Sequence, residues 1–286
     1  VERLQAIALP IFGSARVVKT RAVIDRYNGG GGGLLAAGIA YNTLFALVPM
    51  ALFAGGLLGY FVKDPQSLAM VTNLLTEWAP PLSSVIDEVL GGLAVASPQL
   101  SIVGLVGMVW GATRLYASLE MGIEAMFAGV PRRGIVSRTI RRVGSVLVIA
   151  AIVVAAFVAS SVASLVAELS SSGGAVAFLL GIALLLLPIA IASVAVAIVY
   201  RVVPPAPPKP RAFFGPALAV GSGLVLLTRL FAILAPRLLG ANFVYGTLGA
   251  IFVALAWLGL TYSMILLGAA WVRERMVGEE VTATVA

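Results

Sequence analysis

The sequence predicts an all-α polytopic membrane protein. Six transmembrane helices are expected, with a basic N-terminal helix on the membrane surface and two short amphipathic helices in the first outer loop. Three observations carry this. Of 286 residues, 60% are hydrophobic and 11% charged, whereas a soluble domain carries about 25% charged residues. Apolar runs of the length a bilayer demands, about 20 residues at 1.5 Å rise each, recur along the chain. The basic residues gather in alternate connecting segments, as the positive-inside rule requires.

The same composition excludes several kinds of chemistry. With no Cys there is no disulfide, thiolate or cysteine metal site, and with no His the commonest general base and metal ligand are both missing. No metal or cofactor is expected. The net charge of +7 and pI near 10.1 raise nucleic acid as a partner. Cytoplasmic loops rich in Lys and Arg explain that charge better, so membrane lipids are the expected partners.

Residues 1–33 come first. Within 16–27 (RVVKTRAVIDRY), Val17, Ile24 and Tyr27 fall near one face, and Arg16, Lys19, Arg21 and Arg26 lie largely elsewhere. That pattern suits a basic helix on an anionic leaflet. The glycines from Gly29 to Gly33 predict a flexible joint, since no strand precedes them and no GK[ST] ending follows to make a phosphate loop. No cleavable signal peptide is expected, because the first long apolar run begins at Leu34.

The membrane domain is expected over 34–271, with spans at 34–62, 101–127, 143–167, 174–200, 212–239 and 247–271, and a tail over 272–286. Pro49 in the first span and Pro188 in the fourth each free a carbonyl four residues back and predict hinges or kinks. The outer loop 63–100 carries two amphipathic stretches, 66–78 and 82–95, either capping the bundle or covering a lateral opening. Segment 204–210 (PPAPPKP) predicts an extended polyproline link. Gly55/Gly59 and Gly107/Gly111 have the spacing of close helix contacts, within the chain or against a second copy, so a homo-oligomer stays open.

Orientation follows from charge. Arg3, Arg16, Lys19, Arg21, Arg26, then Arg132, Arg133, Arg138, Arg141, Arg142, then Arg201, Lys209, Arg211, Arg273 and Arg275 share one side. The other side holds only Lys63 and Arg237. Both termini are therefore expected in the cytoplasm.

Several segments together resemble the YihY/BrkB family of bacterial inner-membrane proteins, once labelled ribonuclease BN. The carriers are AAGIAYNTLFALVPM (36–50), VWGATRLYASLEMGIEAMF (109–127), Tyr200-Arg201-Val202-Val203-Pro204, and Phe243 to Leu248, followed by Trp257 and Gly268-Ala269. The resemblance covers roughly residues 20–275. It implies six spans across the cytoplasmic membrane with both ends in the cytoplasm, and envelope or lipid-related transport. Ala270 stands where the family often carries an acid, so no role is carried over to that position.

Chemistry concentrates on Arg114 and Arg229. Counted from Gly111 and Leu224 as span centres, Arg114 lies about 5 Å to the cytoplasmic side and Arg229 about 8 Å to the outer side. Tyr41, Asn42, Thr43, Ser193, Ser222, Thr261, Tyr262 and Ser263 form a polar layer near that depth. A charge so deep costs at least about 2.5 kcal/mol. Glu120 lies about 120° away in azimuth, so Arg114 has no carboxylate on its own face. The substrate-binding candidates are Arg114, Asn42, Tyr41, Arg229 and Tyr262, because a guanidinium forks onto phosphate or carboxylate. The competing reading has Arg114 bonded to Asn42, Tyr41 and freed carbonyls, holding the bundle, and Arg229 snorkelling outward. Glu120 and Glu124 pair with the basic loop 132–142 or serve as a proton or ion relay.

Three functions fit, and a nuclease does not, for want of any general base or acid cluster. The first is a transporter or flippase of an amphiphile with an anionic head group. The others are a scaffold whose basic face binds anionic lipid or a partner, and a small-anion channel.

Overall fold

A computed structural model describes residues 15–61, 98–130, 175–240 and 246–285, with positions 73, 76 and 80. The described elements are all helices: α1 Ala15–Gly29, α2 Gly32–Phe61, α3 Pro98–Met126, α4 Ala175–Val202, α5 Pro210–Gly240 and α6 Gly246–Val285. Helices α2 to α6 fall on five of the predicted spans. The expected span at 143–167 lies outside the described residues, as do the outer-loop helices apart from positions 73, 76 and 80.

By length and composition, two described helices can cross a membrane, Pro210–Arg237 and Leu248–Glu279. The pair Val17–Gly29 and Gly32–Leu47, bent by 58°, makes a third if it is one broken span. Pro49 and Pro188 each sit inside a helix that continues through them. Helix α6 runs on to Val285 with Val272 fully buried, so the segment expected as a tail begins as packed helix.

The chain forms two compact units. One comprises Val1–Gly33, Ile123–Val225 and Met264–Ala286; the other comprises Leu34–Gly122 and Leu226–Ser263.

In the first unit, α4, α5 and α6 meet where side chains are small. Tyr200 is wholly buried and donates its hydroxyl to the Ile265 carbonyl at 2.8 Å. A Cβ on Gly268 would collide with that hydroxyl and stand 2.6 Å from Val220. Ser193 of α4 abuts Gly221 of α5, and the Met264 methyl of α6 covers Gly223. Such contacts matter because lipid gives helices no hydrophobic reason to associate; close van der Waals packing and interhelical hydrogen bonds must do it.

The proline-rich link is a closed loop, not an extended spacer. Arg201 Nη1 donates to the Pro208 carbonyl at 2.8 Å, and Pro204 and Pro208 are fully buried. Prolines present carbonyls without N–H donors, so a guanidinium supplies the donor that draws the loop shut.

Helix α1 is tied to α6. Arg26 Nε donates to Glu274 Oε1 at 2.5 Å, with both side chains 24% exposed. The glycine joint is a tight turn. Gly30 N–H donates to the Arg26 carbonyl at 2.9 Å and Gly31 N–H to the Asn28 carbonyl at 3.0 Å. Gly31 adopts φ +68°, the left-handed conformation that favours glycine. Gly30 faces Met126, and the Tyr27 ring fills the space over Gly32. The freedom expected of five glycines is thus used to fit one corner.

In the second unit, α2 and α3 pack antiparallel. A Cβ on Gly107 would lie 2.6 Å from Pro49, and one on Gly111 would lie 2.9 Å from Ala46. The Gly107/Gly111 spacing therefore serves packing within the chain. Gly55 and Gly59 lie where side chains are not described.

Gly268→Ala should destabilise the protein by about 1–3 kcal/mol through overpacking against Tyr200. Gly259→Ala, on the same helix with open space around it, should change stability by less than about 0.5 kcal/mol. Thermal unfolding of the two variants in detergent checks the contrast.

Candidate functional site

The predicted binding residues Arg114, Tyr41, Asn42, Tyr262 and Arg229 all belong to the second unit. Their placement follows from the helix register. Pairing of Gly107 with Pro49 and Gly111 with Ala46 sets α3 against α2. Three residues further on, the same register puts Arg114 level with Thr43 and Asn42, about 4.5 Å past the Gly111 contact.

Level does not mean bonded. Arg114 is exposed on α3, and its guanidinium carbon lies 5.4 Å from the Trp110 ring centre. No hydrogen bond or ion pair joins Arg114 to another described residue. Trp110 is itself 55% exposed, so the pair stands on the outside of the unit. A cation over an indole face gains about 0.5–1 kcal/mol when exposed and about 2 when desolvated. The partner was legible in the sequence one turn back, at i−4, where side chains of a helix meet.

The neighbouring polar groups face different ways. Tyr41 is 55% exposed, its ring 4.9 Å from Phe45. Asn42 is half-buried. Thr43 Oγ1 lies 2.8 Å from both the Ile39 carbonyl and Tyr262 Oη. A hydroxyl has one proton, and a carbonyl can only accept. Thr43 therefore donates to Ile39 and receives the Tyr262 proton, joining α2 to α6. Tyr262 and Thr43 are committed to each other and leave Arg114 aside. Arg229 is exposed on α5.

Glu120 is buried and Glu124 half-buried, and neither lacks a partner within the protein. The basic loop expected to meet them, 132–142, lies outside the described residues. Of the remaining polar layer, Ser222 donates to its own Leu218 carbonyl at 2.8 Å. Among the described residues, Ser193 Oγ and Trp257 Nε1 are buried without a hydrogen-bond partner. Among the described residues, no group of three or more acids could hold a metal ion.

Apolar helices of spanning length, small-residue contacts and an arginine on an apolar exterior define a helical membrane protein. Within that class the family is specific. The profile described as Virulence factor BrkB matches residues 23–284, and the chain belongs to that family. It is similar to a UPF0761 membrane protein of Chromohalobacter salexigens, 25% identical over 280 residues, covering 91% of this chain and 64% of that protein. A UPF0761 membrane protein of Xanthomonas oryzae pv. oryzae is 25% identical over 244 residues, covering 82% of this chain and 55% of the relative. One of Xanthomonas campestris pv. campestris shows the same identity and coverage. The chain thus spans between about half and two thirds of the length of these relatives. No solved structure matches it.

The Thr43–Tyr262 bond is open to a double-mutant cycle. Thr43→Val leaves the Tyr262 proton without its acceptor and should cost about 1–3 kcal/mol. Tyr262→Phe alone should cost about 0.5–1.5 kcal/mol. The double variant should lose less than the two singles together, as unfolding in detergent would show.

Proposed function

We propose that this chain is a multi-pass protein of the bacterial cytoplasmic membrane, with six spans and both termini inside, that moves an amphiphile bearing an anionic head group across the bilayer. It acts without chemistry on its substrate, as transporter or flippase, and Arg114 is the principal head-group contact. Arg229 is a secondary contact on the outer side.

The observation that carries this reading is Arg114 itself, a cation on the exposed side of an apolar helix beside Trp110. Magnitudes favour a ligand. A lipid-facing arginine near mid-depth costs at least about 2.5 kcal/mol. The exposed Trp110 contact returns about 0.5–1 kcal/mol. Hydrogen bonds to a charged group contribute about 1.5–3 kcal/mol each, and phosphate takes two from one guanidinium. A phosphate or carboxylate head group would offset the cost, while its acyl chains lie against the exposed Val106, Val109 and Trp110.

Reconstitution in liposomes tests this. Fluorescent anionic and zwitterionic lipids are followed across the bilayer by quenching, for wild type and Arg114→Ala. Wild type should move the anionic lipid, and the variant should be slower by about tenfold, the factor that ~1.4 kcal/mol of head-group binding represents. Arg114→Lys should fall between, keeping the charge but losing the fork. If wild type moves no lipid above protein-free liposomes, the scaffold and anion-channel readings take precedence.

A further inference from the structure

A second cationic feature lies in the other unit and has no part in the proposed transport site. Arg275 of α6 reaches across to α5, where a Cβ on Gly215 would stand 2.6 Å from its Nη1. The missing side chain lets the guanidinium lie directly against the α5 backbone. Arg211 precedes Gly215 by one turn on the same face, about 6 Å along the axis. Both arginines are exposed. Among the described residues, neither makes an ion pair or hydrogen bond. The nearest acid in sequence, Glu274, is taken by Arg26, and Glu279, one turn beyond Arg275, forms no ion pair with it. Lys209 is exposed beside them, and Arg201 is tethered to the adjoining Pro208 carbonyl.

We propose that Arg275, lying against Gly215, and Arg211, one turn before that glycine on the same helix face, bind the phosphate of an anionic membrane lipid. Like charges on two helices repel unless an anion lies between them, and two guanidinium forks match the oxygens of one phosphate. The apolar surface beside them selects a lipid over a free anion. Phe214 and Leu218, three and seven residues after Arg211, are 62% and 58% exposed on the same side of a helix long enough to cross the membrane. Head group on the arginines and acyl chain along Phe214 and Leu218 make one continuous contact. A topological signal needs only positive charge near the membrane. It does not require one helix to seat its guanidinium on a glycine one turn from another helix's arginine. This site is independent of transport and would persist if the chain moved no lipid.

Native mass spectrometry of the full chain released from detergent micelles tests the assignment, with phosphatidylglycerol and phosphatidylcholine as probes. Wild type should retain phosphatidylglycerol preferentially. Arg211→Gln/Arg275→Gln should retain it about tenfold less, while Arg237→Gln, removing charge from an exposed position at the far end of α5, should match wild type. Arg211→Lys/Arg275→Lys keeps every charge and should still lose at least about threefold, because lysine lacks the fork. Should the paired glutamine variant lose its helical circular dichroism, the lysine pair and the single Arg275→Gln carry the test. Retention unchanged in the Arg211 and Arg275 variants, or lowered equally in Arg237→Gln, overturns the site. Displacement of the lipid by excess inorganic phosphate would overturn its assignment to lipid.

Discussion

Tyr200 lying over Gly268 is the contact on which the first unit depends. In lipid the exterior of a helix is already solvated by hydrocarbon, so burying apolar side chains gives little reason for two helices to meet. What remains is contact at short range. Gly268 lets the Tyr200 ring approach the α6 backbone until its hydroxyl reaches the Ile265 carbonyl. That bond satisfies a phenolic proton which would otherwise be left in a region without water. The same reasoning applies at Gly221 against Ser193 and Gly223 under Met264. Helices α4, α5 and α6 are thus held by side chains that are absent as much as by those present.

This packing reaches the neighbouring connections. Arg201 follows Tyr200 directly, and with Tyr200 anchored its guanidinium closes the proline loop on Pro208. The closed loop delivers Pro210 to begin α5 at the place where Gly215 receives Arg275. Next to Arg275 in α6, Glu274 holds Arg26 and with it the basic helix α1. A half-buried ion pair is worth little in isolation. Its consequence here is positional, since it occupies Glu274, the acid next to Arg275 in sequence; among the described residues neither Arg275 nor Arg211 makes an ion pair.

In the second unit the organising contact is again between a glycine and its neighbour, with Gly107 on Pro49 and Gly111 on Ala46. This register decides what Arg114 can touch. It sets the arginine at the depth of Asn42 and Thr43, yet turns it to the exterior with Trp110. Thr43 is already committed, through one proton to Ile39 and one from Tyr262. A residue can share a layer with a polar cluster and take no part in it, because depth and azimuth are set by different things.

The sequence by itself determined the membrane class, the family and most of the helix positions, because apolar length, basic loops and motif order are local properties of a chain. It also read Arg114 as level with Asn42 and Thr43, since rise per residue is fixed by the helix. It could not read azimuth relative to neighbours. A fit between two surfaces distant in the chain turned the glycine joint into a tight corner and the proline link into a closed loop. The same kind of fit buried Val272 at the head of the expected tail and joined Thr43 to Tyr262. Arg275 finds Gly215 for the same reason. The space left by a glycine acquires meaning only when another helix supplies the side chain that fills it, and only tertiary structure decides which one does.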